Sequence, residues 1–413
     1  MSTLTKRILI LLISVVFTLS VHAQPYNFST KALKKHIEFL ASEACAGREP
    51  GTKGEALAIQ YLSKEFKALH LSPMGNTGYE QPFSYKTRLN PHDTIGEGKQ
   101  KNGSNVIGFL DNGSKYTLVI GAHFDHLGKD SHPSSLDVHK DRIHYGADDN
   151  ASGTAGVLEL ARYYVTNGKT EPCNFLFMCY SGEEDGLIGS KYFTNNPTYP
   201  LSSIRCMINM DMIGRLNDST YKLMVYGVGT SPAYTAVFSN LPGNLKLVYD
   251  SSGIGPSDQT SFYLKQIPVL HFFTGQHKDY HKSTDTHDKI NYPGEIKVLE
   301  LIAQVSDALS KLDTIAFTPT KQNEQVKVSF KVTLGIMPDY TYEGKGVRVD
   351  AVTTGKPASN AGIQAGDIIL QLGEIPTTSM QGYMKALSAF KKGDHTQVII
   401  LRQEKEHKLE ISF

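Results

Sequence analysis

Short, largely apolar segments that alternate with segments of helical spacing constrain the fold of this chain more than any other feature. Residues 116–122, 174–180 and 205–212 are of this kind, and residues 221–228 and 267–273 continue the pattern. Strands that are apolar throughout need to be covered on both faces of their sheet. The pattern therefore predicts an α/β fold, in which a mixed, mostly parallel sheet is sandwiched between helices.

Helical periodicity separates and flanks these strands. We predict helices over residues 31–41, 53–69, 152–165, 190–195 and 298–312. Thr52 and Glu55 form a capping-box pattern at the start of the second helix. The segment 86–104 is polar and rich in glycine, which predicts a loop.

The N-terminus has the pattern of an export signal. Lys6 and Arg7 precede an apolar run over residues 8–21, which is shorter than the roughly 20 residues of an ordinary membrane-spanning helix. The run ends in Val-His-Ala, with small residues where a signal peptidase reads the chain. We therefore predict a signal peptide over residues 1–23 and an exported protein, periplasmic or secreted, without an integral membrane anchor. An uncleaved N-terminal anchor is the alternative.

The character of the chain changes again after the last predicted helix. Residues 314–325 are polar and contain Pro319, which predicts a linker. Residues 326–413 have short strands, glycine turns and one helix, so we predict a large domain over residues 24–313 and a separate small one over residues 326–413. A formal net charge of +1 lacks the basic surplus of a nucleic-acid binder, and nucleic acid is therefore excluded as a partner.

The four cysteines, Cys45, Cys173, Cys179 and Cys206, have spacings unlike those of zinc-thiolate motifs. In an exported protein they could form disulfides, for which three full pairings are possible. Buried free thiols are an equally good interpretation, and the sequence leaves the two alternatives open.

Histidines and acids follow the predicted strands, at the edge of the sheet where open α/β folds bind ligands. They are His123 and Asp125, Asp148 and Asp149 in a turn before a helix, Glu183 and Glu184, Asp211, and His281. Imidazole and carboxylate groups are ligands of zinc, and two zinc ions at one centre need a bridging carboxylate. In a pair of adjacent glutamates, one can bind metal while the other stays free as a base. Each piece is weak alone, but together they predict a divalent-metal site.

With these motifs the chain resembles the secreted co-catalytic dizinc aminopeptidases, which include bacterial leucyl aminopeptidases. The matching segments are GAHFDHLG (121–128), GADDNASG (146–153), YSGEEDGLIGS (180–190), NMDMIGRL (209–216) and DYHKSTDT (279–286). The resemblance covers about residues 29–312. It implies a zinc-peptidase fold, two Zn2+ ions per chain and removal of N-terminal residues from peptide substrates.

The resemblance also implies a ligand set. One zinc would be held by His123 and Asp211. The other would be held by Glu184 and His281, with Asp149 bridging the two. The implied mechanism is metal-assisted hydrolysis of the peptide bond.

The resemblance also implies roles for further acidic residues. Glu183 would be the general base, which takes a proton from the attacking water and passes it to the leaving amine. Asp125 would fix the tautomer of the His123 imidazole, and Asp285 would do the same for His281. Asp148 would support the turn.

The segment 127–145 departs from a minimal family pattern. It contains His132, His139 and His144, and His126 borders it. We predict a solvated insertion over the rim of the pocket, with a metal-binding loop as the alternative.

Residues 332–374 resemble a bacterial PDZ domain. Leu334, Gly335 and Ile336 match its carboxylate-binding loop, and residues 380–390 would be the helix beside its groove. The resemblance implies that this domain holds the C-terminus of a peptide or protein, which adds a strand to its sheet. The alternative is a domain that only packs on the large domain or spaces it.

Two other functions are open at this point. One is a glutaminyl cyclase, which shares the fold and uses a single zinc. The other is a peptide-binding adaptor on an inactive peptidase fold. Because the implied ligand set is complete and Glu183 is present, the sequence favours a zinc-dependent aminopeptidase with a PDZ domain.

Overall fold

The computed structural model describes residues 26–86, 99–129, 132, 134–137, 141–320, 332–338, 342, 344–352, 355–378 and 380–413. The predicted signal peptide, His139 and residues 321–325 of the predicted linker lie outside these ranges. Within them, no helix has both the length and the apolar character needed to cross a membrane.

The described part of the large domain contains strands and helices in alternation. Its helices are α1 (Thr30–Leu40), α2 (Lys53–Ala68), α3 (Gly153–Thr166), α4 (Ile188–Asn195), α5 (Pro232–Ser239), α6 (Gln259–Tyr263) and α7 (Tyr292–Ser310). Its strands are β1 (Ser72–Pro73), β2 (Glu80–Lys86), β3 (Gln100–Leu110), β4 (Thr117–His123), β5 (Asn174–Tyr180), β6 (Ile204–Met210), β7 (Lys222–Tyr226), β8 (Lys246–Asp250) and β9 (Val269–Phe273). Each helix and strand predicted in this domain is present, whereas β1, β2, β3, β8, α5 and α6 were not predicted.

These strands form one nine-stranded sheet, in the order β1-β3-β5-β4-β6-β9-β7-β8, with β2 also paired to β3. The central strands β5, β4, β6 and β9 are parallel, whereas β3 and β7 run antiparallel to β5 and β9. The predicted mixed α/β fold is confirmed, with parallel pairing at its centre. Because the central strands point the same way, their carboxyl ends lie along one edge of the sheet.

Successive residues of the central strands enter two different cores. In β5, Phe175 and Phe177 belong to one core, and Leu176 and Met178 belong to the other. The first core also contains side chains of α1, α2, α3, α5 and α7, and the second contains those of α4 and α6. Each such side chain stabilises the fold by about 1.5–3 kcal/mol when fully buried, which explains the continuous apolar runs.

The predicted loop over residues 86–104 is wrong at both ends, because Lys86 is the last residue of β2 and residues 100–104 form the start of β3, which pairs with β2. Residues 87–98 of this predicted loop lie outside the described ranges. Gly103 lies where the chain packs too closely for a side chain. A Cβ atom there would be 2.8 Å from Cζ of Phe83 and 2.9 Å from Oγ of Ser181. The glycine therefore reflects a close approach of neighbouring groups and not a turn.

Residues 314–320 of the predicted linker pack on the large domain. Ile315 is buried in the first core, and the Phe317 ring lies 5.4 Å from that of Tyr263. The backbone N–H of Thr320 donates to the Tyr263 hydroxyl at 3.0 Å. The predicted linker therefore does not begin at residue 314, because residues 314–320 pack on the large domain.

The small domain has its own sheet and core. Its strands are β10 (Ile336–Pro338), β11 (Val347–Val352), β12 (Ile368–Leu372), β13 (Ile375–Pro376), β14 (His395–Arg402) and β15 (Lys405–Ser412), and its helices are α8 (Pro357–Asn360) and α9 (Met380–Ser388). The six strands form one sheet, with β10 at an edge of its main path. Leu334, Val349 and Ile369 belong to its core. The predicted small β-rich domain is confirmed.

All four cysteines lie in the large domain, where they are buried and unpaired. The sequence leaves disulfides and buried free thiols as alternatives, and the structure contains buried free thiols.

Candidate metal centre

The carboxyl edge of the parallel strands carries the predicted ligands. His123 is the last residue of β4, and Asp211 directly follows β6. Glu184 stands a short turn after β5, and His281 follows β9. Asp149 lies in the turn that leads into α3. The structure brings these five side chains together.

His123 is at the centre of a first group of donor atoms. Its Nε2 atom lies 3.4 Å from Oδ1 of Asp149 and 3.4 Å from Oδ1 of Asp211. Oε2 of Glu183 is further away, at 4.0 Å. The His123 side chain is 1% exposed, so the group is shielded from bulk water.

His281 is at the centre of a second group. Its Nε2 atom lies 3.2 Å from Oδ2 of Asp149 and 3.2 Å from Oε2 of Glu184. Asp149 thus presents one carboxylate oxygen to each histidine. This is the position that a carboxylate bridging two metal ions has to occupy.

The spacing of these atoms fits a metal of the size of zinc. Ligands at 2.0–2.1 Å in a tetrahedron are separated from one another by about 3.3 Å. The distances from His123 and His281 to the facing carboxylate oxygens are 3.2–3.4 Å. The nitrogen and oxygen donors present therefore fit zinc in both chemistry and spacing.

The electrostatics of the cluster also favour a cation. Burial and the charge of Glu184 raise the pKa of Asp149 to about 7. Burial by itself would lower the pKa of His281, but the carboxylates of Glu184 and Asp149 hold it well above its usual range. Asp149 and His281 therefore hold a proton more readily than usual, at atoms where a metal ion would offset the same negative charge.

Glu183 lies beside the first group and is held by Asp125. The Glu183 backbone N–H donates to Oδ1 of Asp125 at 3.1 Å, and that of Glu184 donates to Oδ2 at 3.4 Å. Nδ1 of His123 is 3.2 Å from the Asp125 carbonyl oxygen and 3.7 Å from its carboxylate. The His123 imidazole is therefore within hydrogen-bond distance of the Asp125 backbone carbonyl and not of the predicted carboxylate, which instead holds the turn that carries both glutamates.

The prediction that Asp285 orients His281 is wrong. Its Oδ2 atom accepts from the backbone N–H groups of Asp148 and Asp149, at 2.9 and 3.1 Å. Asp148 accepts from the Gly214 N–H at 2.7 Å and lies 3.1 Å from Nε2 of His277. Asp285 thus supports the turn around Asp149, whereas the Asp148 side chain connects that turn with Gly214 and His277.

The His281 imidazole is instead held by the segment 127–145. Nδ1 of His281 donates to the Ser134 carbonyl oxygen at 2.9 Å, and the Leu136 N–H donates to the His281 carbonyl oxygen at 3.0 Å. Asp137 also accepts from the Ser283 N–H at 3.0 Å. The described part of this segment is therefore built into the centre and is not only a solvated rim.

The histidines of this region differ in their surroundings. His132 and His144 contact Asp185 and Ser135 respectively, away from the two donor groups. His126, however, lies in the second group, with Nδ1 at 2.8 Å from Oε1 of Glu184. Burial lowers the pKa of His126 to about 3. The only indication in the sequence that His126 would contact a ligand candidate was its position directly after the His123–Asp125 motif.

Sequence reasoning missed Arg48 entirely. Its fully buried guanidinium donates to the carbonyl oxygens of Leu40, Phe124, Tyr145 and Gly146, at 2.6–2.9 Å. Phe124 follows His123, and Gly146 precedes the Asp149 turn. Arg48 therefore ties together two segments that carry metal-ligand candidates.

In the small domain, the predicted carboxylate loop lies at the start of the edge strand β10. Leu334 is buried, and its carbonyl oxygen accepts from the Ala358 N–H at 2.8 Å. Gly335 has φ +78°, and a Cβ atom there would lie 2.2 Å from Cβ of Lys356. Ile336 begins the strand. The loop thus has a left-handed turn that a larger residue would strain.

Sequence comparison finds a family model that matches each of the two domains. Residues 105–306 match Peptidase family M28, and residues 306–413 match the PDZ domain. Leupeptin-inactivating enzyme 1 from Streptomyces exfoliatus is 35% identical over 259 residues, which are 62% of this chain and 50% of that enzyme. The chain therefore spans about half the length of this relative.

Solved structures share the fold of the large domain. BSAP, a zinc aminopeptidase from Bacillus subtilis, has a TM-score of 0.57 at 16% identity, and the match covers 72% of this chain and 100% of that one. A glutaminyl cyclase from Porphyromonas gingivalis has a TM-score of 0.52 at 17% identity, covering 68% and 99%. At these identities the likeness concerns the fold alone.

Proposed function

The chain contains a Peptidase family M28 domain followed by a PDZ domain, and on this premise we propose that it is an exported zinc aminopeptidase with two zinc ions. The observation that carries the proposal is the position of Asp149. Its two carboxylate oxygens face His123 and His281 separately, at 3.4 and 3.2 Å. A single metal site would not need one carboxylate divided in this way.

His123 and Asp211 would hold one zinc, and Glu184 and His281 would hold the other, with Asp149 shared between them. Zinc in such a centre lowers the pKa of a bound water and polarises the scissile carbonyl group. The protein's part is to hold the donor atoms at these spacings and to exclude bulk water, which the burial of both imidazoles supports.

Glu183 has the properties of a general base. Its Oε2 atom is 4.0 Å from Nε2 of His123, outside the closest donors but within the centre. Burial and the neighbouring carboxylates of Glu184 and Asp211 raise its pKa well above the usual range, although His123 opposes the shift. A carboxylate with a raised pKa accepts a proton from water more readily and can then deliver it to the leaving amine.

The substrate class is proposed from the resemblance of the motifs and not from charge, because two bound zinc ions would offset the carboxylates of Glu183, Glu184, Asp149 and Asp211. The segments at residues 121–128, 146–153, 180–190, 209–216 and 279–286 resemble those of aminopeptidases. We therefore propose that peptides with a free N-terminus are the substrates.

A panel of aminoacyl amides with different side chains tests this proposal. Each compound is paired with its N-acetylated form and assayed with and without a chelator, followed by addition of zinc. We expect the free amines to be cleaved, the acetylated forms to be cleaved at least about 100-fold more slowly, and activity to return with zinc. Equal cleavage of the paired compounds would exclude an aminopeptidase.

A glutaminyl cyclase is the second candidate, because an enzyme of that name shares the fold. The two donor groups around Asp149 weigh against a single-zinc enzyme. The assay is cyclisation of an N-terminal glutamine, measured together with metal content. Cyclisation with one zinc per chain would favour the cyclase over the aminopeptidase.

We also propose that the protein is exported and that its small domain binds peptides. Export rests on the apolar run and its flanks at residues 1–23. Sequencing the N-terminus of the protein from fractionated cells tests it, because a cleaved signal leaves Gln24 first. Peptide binding rests on the Gly335 loop beside the edge strand β10, which could accept a further strand.

A further inference from the structure

His126 is the one side chain of the second donor group that has no assigned role. It is fully buried, and Nδ1 lies 2.8 Å from Oε1 of Glu184. Its other nitrogen, Nε2, is also buried and has no hydrogen-bond partner among the described residues. Among the described residues the ring therefore makes a single hydrogen bond, and its partner Glu184 is a metal-ligand candidate.

This contact sets the tautomer of the ring. An ionised carboxylate can only accept a hydrogen bond, so Nδ1 of His126 has to donate. Nδ1 of His126 is therefore the donor in this contact, with its proton directed at Glu184.

The hydrogen bond makes the two oxygens of Glu184 different. Oε1 accepts from His126, whereas Oε2 lies 3.2 Å from Nε2 of His281 and faces the second donor group. We propose that His126 is a positioning residue, which occupies Oε1 and leaves Oε2 as the single oxygen for the second metal ion. This inference rests on the proposed dizinc function.

Packing fixes the His126 ring in the required orientation. A Cβ atom at Gly146 would lie 2.5 Å from Cδ2 of His126, so glycine there leaves room for the ring. The His281 ring stands across it, with centroids 5.8 Å apart and planes at 68°. Arg48 holds Gly146 through its carbonyl oxygen at 2.9 Å. A ring held in this way can keep Glu184 in one orientation.

Direct metal binding by His126 is the competing interpretation. Nδ1 lies 4.0 Å from Oδ2 of Asp149, and the His126, Asp149 and Glu184 atoms all lie within 4.8 Å of one another. The shorter distance to Glu184 favours the hydrogen bond. The two roles differ in what can replace the ring, because an amide N–H₂ can donate to Glu184 but is not a zinc ligand.

The test uses the full chain, stripped of metal and titrated with zinc against a chromophoric chelator. His126→Leu removes the donor at similar size, and His126→Asn keeps an N–H donor near the position of Nδ1. Variants His123→Ala and His281→Ala identify which binding step belongs to which donor group. Thermal melting of each metal-free protein reports on the fold independently of zinc.

For His126→Leu we expect about 10- to 100-fold weaker binding at the step that His281→Ala removes, with the other step unchanged. His126→Asn should recover most of that affinity. Wild-type affinity in His126→Leu would overturn the positioning role, and so would an Asn variant as weak as the Leu variant. If the Leu variant does not fold, His126→Ala takes its place as the variant without a donor, and its zinc affinity is compared with that of the Asn variant in the same way.

The wild-type titration separates this inference from the proposed function. If the wild-type chain binds fewer than two zinc ions, the dizinc proposal fails first. If it binds two and the His126 variants do not differ from it, only the positioning role fails.

Discussion

Arg48 donates a hydrogen bond through Nη2 to the carbonyl oxygen of Gly146, 98 residues further along the chain, at 2.9 Å. The same guanidinium reaches the carbonyl oxygen of Phe124 at 2.6 Å. One buried side chain thus connects the end of β4, where His123 lies, with the turn that carries Asp149. This cross-connection therefore holds two segments that carry ligand candidates in a fixed relation to each other.

Replacing Arg48 should therefore destabilise the fold around the centre. Arg48→Met keeps the length of the side chain but leaves buried carbonyl oxygens without a donor, at about 1–3 kcal/mol each. We expect the free energy of unfolding of the metal-free protein to fall by at least about 3 kcal/mol in denaturant titrations. Arg142→Met, at an exposed position, is the control and should change it by less than about 0.5 kcal/mol. An equal effect of the two variants would contradict the role of Arg48.

The adjacent glutamates should have separable functions. Glu183→Gln removes the proposed base and should lower turnover by about 10²- to 10⁴-fold, while zinc content stays at the wild-type value. Glu184→Gln removes a ligand and should lower zinc content as well. Metal analysis beside steady-state rates distinguishes the two, and full activity in Glu183→Gln would exclude it as the base.

A bridging carboxylate should affect both metal sites at once. Asp149→Ala removes oxygens that face His123 and His281, so both steps of a zinc titration should weaken. Asp211→Ala removes an oxygen near His123 alone and should weaken one step. If the two variants weakened the same single step, Asp149 would not be a bridge.

Asp185, next to the glutamate pair, should contribute stability that depends on pH. Burial by itself would raise its pKa, but hydrogen bonds with His132 and Tyr85 and the charge of Lys101 lower it to about 2. Because the folded-state value lies below the usual 3.8, this stability is present above about pH 4 and is lost as the pH falls towards 2.

Asp185→Asn should therefore lower the free energy of unfolding by about 1–2 kcal/mol at pH 6, and by progressively less below pH 4. Urea unfolding of the metal-free proteins between pH 3 and 6 measures this difference. Tyr85→Phe removes one hydrogen bond, of 2.6 Å, and should give a smaller loss with the same pH dependence. A difference that did not depend on pH would exclude this origin.

Peptides with a free C-terminal carboxylate should bind the small domain. N-terminally labelled peptides, tested as free acids and as amides against Glu183→Gln protein, should bind only as free acids. Gly335→Ala should abolish this binding, because a side chain there meets Lys356 in a left-handed turn. Gly393→Ala is the matched control, since Gly393 has φ +93° but open space around it. Equal binding of the free acids and the amides would contradict the proposal that the loop at residues 334–336 holds the peptide carboxylate.

Several features of this protein follow from its sequence alone. The strands β4, β5 and β6 are visible as apolar runs because their residues enter cores on both faces of the sheet. The ligand candidates are visible because a parallel sheet gathers the ends of its strands at one edge, so residues distant in the chain share a site. Residue type and position relative to a strand are local properties, which a sequence displays directly.

Other features were decided only by the tertiary structure. Residues 100–104 form a strand because β2 is beside them, against the preference of their composition. Ser134 holds His281 in place of the predicted Asp285, and His126 reaches Glu184. Arg48 serves four carbonyl oxygens from different segments. Each of these contacts uses a backbone group or a ring orientation that exists only after distant segments have packed, and local sequence patterns carry no information about such pairings.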